Sequence, residues 1–145
     1  MTKADDAHRS FLKRFTCSAA AFSASSPEPG LDPDTAKKIA CGFGAGISGT
    51  GNICGAVSGG IMVTGLKSGK CVEGDEAATG KSRALVRQFI REFTKTNGSV
   101  NCTELTIGQK VSVDNPGPVR ARIGLPGERN VSVSQKYVPG YLPGQ

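Results

Sequence analysis

Cysteine is the residue type in this chain best equipped for chemistry: as the thiolate it is a nucleophile, a redox couple and a soft metal ligand. Five are present, at Cys17, Cys41, Cys54, Cys71 and Cys102. No two stand as Cys-x-x-Cys, so local zinc-finger and thioredoxin patterns are excluded and any shared site must be assembled by packing. Cys54 stands apart from the rest. It ends a glycine-rich stretch and opens Cys54-Gly55-Ala56-Val57-Ser58-Gly59, after which Val57, Ile61, Met62 and Gly65 recur at helical spacing. The cysteine thus falls where a loop becomes a helix. Unpaired amides and the positive end of the helix dipole favour an anion there, so its thiol is expected to ionise readily. Asn101-Cys102-Thr103-Glu104 repeats the arrangement, because an N-cap residue three before a glutamate makes Cys102 the first residue of a short helix.

Other constellations carry less. His8 is the single histidine and stands in a charged first turn, so no Ser-His-Asp set or Cys/His zinc site can be built on it. Gly44-Ala45-Gly46-Ile47-Ser48-Gly49 spells a dinucleotide fingerprint, yet a helix precedes it where a strand is required. The run from Gly74 to Gly80-Lys81-Ser82 has one residue too many for a phosphate loop.

The elements that must position the cysteines read as helices. From Asp5 to about Ala24, the residues Phe11, Leu12, Phe15, Ala19 and Phe22 recur at helical spacing. Cys17 lies on another side of that first helix, with Ala20, Ala21 and Ala24. After a turn-rich linker, Asp32-Pro33 supplies an N-cap and a proline at the first helical position, and a second helix runs through Thr35 and Ile39 to Cys41. Glycines in the following loop are expected to turn the backbone through positive φ. The Cys54 helix should stop between Lys67 and Gly69, and Lys70 to Thr79, containing Cys71, reads as a surface connection. Leu85, Val86, Phe89, Ile90 and Phe93 then mark an amphipathic helix ended by Asn97-Gly98. Beyond Gly108 the character changes, with five of the eight prolines and alternating valines that suggest either a small β-meander or an irregular tail. The expected architecture is all-α: a compact bundle of four to five helices in residues 1–108, with a glycine-rich central loop and a Pro/Gly-rich extension over 109–145.

With 145 residues the chain fits one compact unit. A net charge of +6 permits an acidic partner, but no basic run exceeds two residues and none interleaves with aromatics, so nucleic acid is not an expected partner. No apolar run approaches the ~20 residues of a membrane span, and the charged N-terminus lacks a signal-peptide core. A cytoplasmic location is expected, where thiols stay reduced and an odd number of cysteines needs no pairing.

Cys17, the Gly42-Phe43-Gly44 loop, Cys54 to Gly59, Val86 to Phe93 and Asn101-Cys102-Thr103-Glu104-Leu105, in that order, resemble the redox-active family abbreviated C_GCAxxG_C_C. The resemblance covers about residues 8–108. It implies an all-helical bacterial or archaeal domain, similar also to the helical part of split-Soret cytochromes, whose cysteines act in redox chemistry or hold an iron–sulfur cluster. Cys17, Cys54 and Cys102 match the first three family cysteines. The fourth has no counterpart here, and Cys41 is a better substitute than Cys71.

Two chemistries follow from that set. Thiol–disulfide exchange would use Cys54 as the attacking thiolate, Cys102 as its partner and Cys17 as a third member. An iron–sulfur cluster or another thiolate-bound metal would draw on Cys17, Cys54, Cys102 and Cys41. Gly55, Ala56 and Gly59 would then lie beside the cofactor. The expected partner is a redox protein, and a homodimer is left open. The competing reading is a non-enzymatic binding or structural protein whose cysteines are inert and buried.

Overall fold

The computed structural model describes residues 3–13 and 15–105. Among these the order is α1 (Lys3–Leu12), α2 (Cys17–Ser25), α3 (Pro33–Ala40), a 3-10 turn (Cys41–Phe43), α4 (Gly44–Ile47), α5 (Gly55–Ser68), α6 (Glu76–Asn97) and α7 (Cys102–Leu105). The all-α expectation holds. The extension over 109–145, with its suggested meander, lies outside the described residues.

The first expected helix is two. Phe11 to Phe22 keep one helical spacing throughout, but the chain breaks between them, and Thr16 starts α2 afresh by accepting the Ala19 amide with its hydroxyl at 3.3 Å. A capping hydroxyl offers the backbone an alternative to continuing the helix, and here it wins. Leu12 and Phe15, expected on the core face, are exposed as a result.

The new start makes α2 the central element. Seven of its nine residues are buried, so two faces must be covered. On one, Ala20 meets Ala7 and Phe11 of α1, Ala56 and Val57 of α5, and Phe89 and Phe93 of α6. On the other, Ala19 and Phe22 pack with Ala36 and Ala40 of α3 and Val63 of α5. Each fully buried phenylalanine contributes about 1.5–3 kcal/mol through removal of its ring from water. Phe89 and Phe93 meet edge to face, with ring centres 6.1 Å apart.

Helix ends follow their residues closely. Asp32 accepts the Thr35 amide at 2.9 Å with Pro33 behind it, as expected of that pair. The long helix begins earlier than its apolar pattern: Asp75 accepts the Ala78 amide, which brings Glu76 to Thr79 out of the expected surface connection and into α6. The near phosphate loop is consequently the capped first turns of this helix. Gly98, at φ +89°, terminates it in the left-handed conformation that glycine adopts without penalty. No helix among the described residues is long and apolar enough to cross a membrane.

Candidate site: three thiols at three helix starts

Cys17 is the first residue of α2, Cys54 the N-cap of α5 and Cys102 the first residue of α7. The expected placement of Cys17 in the middle of a long helix is therefore corrected, because the Thr16 cap moves it to a helix start. All three sequence-matched cysteines share one local setting. Cys54 and Cys102 are buried and Cys17 is half-buried, whereas Cys41 and Cys71 are exposed.

The α2–α5 seam brings the first two together. A methyl placed on Gly55 would lie 2.9 Å from the Ser18 amide nitrogen and 3.0 Å from Cys17 Cβ; one on Gly59 would lie 2.7 Å from Ala21 Cβ and 2.9 Å from the Ser18 carbonyl oxygen. Both glycines are needed for the space a side chain would fill. They stand one helical turn apart, as do Cys17 and Ala21, so the two helices touch along a strip without side-chain bulk on α5. Cys17 and Cys54 consequently border one core cluster. Ser18, fully buried, fixes the same end of α2 by donating its hydroxyl to the Ala40 carbonyl at 2.6 Å.

Cys102 arrives by a different route. Ile53 and Asn101 form an isolated antiparallel bridge, in which the Cys54 amide donates to the Val100 carbonyl at 2.8 Å and the Cys102 amide to the Asn52 carbonyl at 2.7 Å. Side chains alternate along an extended strand, so residues next to a bridged pair on both chains face the same side, and Cys54 and Cys102 are diagonal neighbours there. Asn101 caps α7 by accepting the Thr103 amide at 3.0 Å and the Glu104 amide at 3.4 Å. The expected capping box closes through an intermediary: the Glu104 carboxylate accepts from the Ser99 hydroxyl, whose oxygen in turn accepts the Asn101 amide at 2.9 Å.

The loop under Cys102 is left-handed. Ala45, Gly46, Ile47 and Ser48 have φ of +54°, +68°, +65° and +52°, which makes four successive residues in a conformation that costs a residue with a side chain about 1–2 kcal/mol. Glycines at 46, 49 and 51 do take positive φ as expected, but three non-glycine residues share it. Hydrogen bonds hold the turn: the Ser48 amide donates to the Gly44 carbonyl at 2.8 Å, the Asn52 amide to the Gly46 carbonyl at 2.9 Å, and the Thr50 hydroxyl to the Ile47 carbonyl at 2.7 Å. A methyl on Gly46 would lie 2.6 Å from Cys102 Cβ. The Thr103 hydroxyl fastens α7 from above by donating to the Gly51 carbonyl at 2.9 Å.

Electrostatics connect the three thiols. The Cys17 thiol is held well above its ordinary value, first by burial and then by the negative charge that Cys54 and Cys102 would carry as thiolates, with its own backbone amide opposing weakly. At this site the helix-start contribution that should favour a thiolate loses to burial and like charge. Cys41 does not act on Cys17 in this way. It closes the 3-10 turn's first position and faces a separate groove with Phe15, Thr16, Ala19, Lys37 and Lys38. Cys71 lies in the polar turn before α6. Gly55 lies beside Cys17, Gly59 one helical turn further on against Ala21 and Ser18, and the buried Ala56 belongs to the core cluster that includes Cys54. Among the described residues no group of three or more His, Cys, Asp or Glu side chains is placed so as to hold a metal ion.

Residues 15–126 match a family model described as "Putative redox-active protein (C_GCAxxG_C_C)". The chain belongs to this family. The matched span takes in Cys17, Cys54 and Cys102 together with the seam and the left-handed loop that carry them. No curated protein and no solved structure matches the chain. The family's motif glycines thereby gain a physical role: Gly55 and Gly59 let α5 lie against the start of α2. Thr16 and Ser18 support the thiols and were not singled out by sequence, whereas Gly44 and Gly46 drew notice there only through the family resemblance and a dinucleotide look-alike. A threonine followed by a run of small residues, Cys17 to Ala21, was the available signal for a helix start at Thr16.

Proposed function

We propose that the protein is a small redox protein working by thiol–disulfide exchange, with Cys54 as attacking thiol, Cys102 as its partner and Cys17 as a third thiol that modulates both. One observation carries this reading: the Ile53–Asn101 bridge makes Cys54 and Cys102 diagonal neighbours, and the α2–α5 seam brings Cys17 to the core cluster that holds Cys54, so thiols from distant parts of the sequence meet at one place. Family membership supports redox activity. Cys17 keeps its proton when its neighbours are charged, so the attack falls to one of the other two. Cys54, at the start of the 14-residue α5, has the stronger dipole.

In the forward step Cys54 loses its proton, and its sulfur attacks one sulfur of a partner's disulfide. The partner's S–S bond breaks, one sulfur leaves as a thiolate and takes up a proton, and a mixed disulfide remains on Cys54. Cys102, deprotonated in its turn, attacks the Cys54 sulfur and releases the partner's second sulfur as a thiol. The chain is oxidised by two electrons to a Cys54–Cys102 disulfide and the partner's disulfide is reduced to two thiols. Because both cysteines are buried, access requires α7 to yield. That single turn is fastened through the Cys102 amide and the Thr103 hydroxyl. A reducing cytoplasm suits such a couple.

An iron–sulfur cluster would also need thiolates, converging on one point. As placed, the described side chains do not converge on a metal position, so no step is routed through one. The deciding experiment is anaerobic purification with an absorption spectrum, iron and zinc analysis, and mapping of the disulfide formed on mild oxidation. A colourless protein that forms a Cys54–Cys102 bond reversibly is expected. A brown, iron-containing protein would replace exchange with cluster chemistry, and five thiols that no mild oxidant couples would leave the inert reading.

A further inference from the structure

A groove distinct from the buried thiols runs between the start of α2 and the end of α3. Phe15 and Ala19 form an apolar floor, and Thr16, Lys37, Lys38 and Cys41 complete a space of about 410 Å³. That volume suits a small organic molecule. Lys37 Nζ stands 4.4 Å from the centre of the Phe15 ring and 3.7 Å from Asp34 Oδ1. Asp34 does not line the groove and its carboxylate is 84 % exposed, so its pairing with Lys37 is well screened, while Asp32 is engaged with the Thr35 amide and hydroxyl. The charged groups that line the groove are therefore both cationic, and the thiol in its wall is exposed.

We propose that this groove binds a small disulfide bearing carboxylates, and that Cys41 takes up one half of it as a mixed disulfide. The apolar floor would receive the aliphatic body of the half-molecule and the two ammonium groups its carboxylates. Cys41 gives its proton to solvent and attacks the near sulfur; the S–S bond breaks, and the other half departs as a thiolate that is protonated by water. No outside oxidant is needed, since the small disulfide is itself reduced to one thiol and one protein-bound half. The proposal stands independently of the buried set.

Cys71 is the control inside the same molecule. It too is exposed, but it is followed by exposed Glu73, Asp75 and Glu76, and its neighbour Lys70 is paired with Glu76. Anionic and cationic disulfides should therefore rank the two thiols in opposite order.

The test uses the full reduced chain with oxidised glutathione as the anionic probe and cystamine as the cationic one, following each cysteine by peptide mass mapping. The Cys41-to-Cys71 rate ratio should be about fivefold or more higher with oxidised glutathione than with cystamine at low salt, and should approach parity near 1 M salt, where screening is complete within a few ångströms. Lys37→Gln with Lys38→Gln should lower the difference to what the acidic surroundings of Cys71 alone produce, and the Arg pair at the same positions should retain it in full. Should the double Gln variant melt early because Lys37 is packed on Phe15, Lys38→Gln alone changes only an exposed residue and should lower the ratio. The same ratio for both probes, or a ratio indifferent to the lysines, would overturn the proposal.

Discussion

Glycine supports the buried thiols in two unlike ways at two places. Along the α2–α5 seam, Gly55 and Gly59 have ordinary helical conformation, and what matters is the side chain they lack, because Ser18, Cys17 and Ala21 occupy that volume. In the loop from Gly44 to Asn52 the decisive property is handedness, and Gly46 combines it with a close approach to Cys102. The seam positions Cys17 against Cys54 by shape; the loop positions Cys102 by a conformation that its own Ala45, Ile47 and Ser48 resist. One arrangement is relaxed and the other is held under local strain by its hydrogen bonds.

Substitutions can separate the two. Gly46→Ala should be the most damaging, since it meets Cys102 and takes an unfavourable φ together; a loss of about 2–4 kcal/mol in denaturant unfolding is expected. Gly55→Ala and Gly59→Ala meet only a volume conflict and should cost about 1–3 kcal/mol each. If they proved neutral, the seam would not depend on missing side chains. Thr16→Ala removes the α2 cap and should cost about 1 kcal/mol. Ile47→Gly runs the other way: relief of a β-branched residue at positive φ is set against the greater freedom of glycine in the unfolded chain, leaving a gain of at most about 1 kcal/mol. A clear loss at that position would show that the loop is not strained.

The pH dependence probes the thiols themselves. A cysteine whose folded value is raised is protonated in both states below its ordinary value of 9.0, so its contribution to stability is complete there. Above that pH the unfolded chain releases the proton first, and stability falls as pH rises further. The melting temperature should therefore decline from about pH 9 upward, and less steeply in Cys17→Ala; an equal slope in both would remove Cys17 from the coupled set.

Much of this is legible in the residues alone. The α6 pattern from Leu85 to Phe93, the Asp32-Pro33 cap, and the helix starts at Cys54 and Cys102 each rest on local rules that tertiary context did not override. What escaped reading had a common origin in ambiguity. Phe11 to Phe22 keep phase across a break, so periodicity cannot reveal that Thr16 caps a new helix. Gly55 and Gly59 serve equally well in a reading based on flexibility and one based on close packing, and only the neighbouring helix decides. Ala45, Ile47 and Ser48 carry no mark of left-handedness, because hydrogen bonds from residues as far on as Asn52 impose it.

The bridge between Ile53 and Asn101 has a consequence for how the chain reaches its native state. It joins segments of sequence separated by all of α5 and α6, a non-local pairing of the kind that slows folding because the entropy of closing the intervening chain is lost before the contact is gained. During synthesis Cys54 emerges well before Cys102, and until the bridge forms it has no covering partner from that end of the chain. In that interval a nascent chain is open to pairing Cys54 with Cys41 or Cys71, and an oxidising environment during synthesis would favour such wrong disulfides until exchange corrected them.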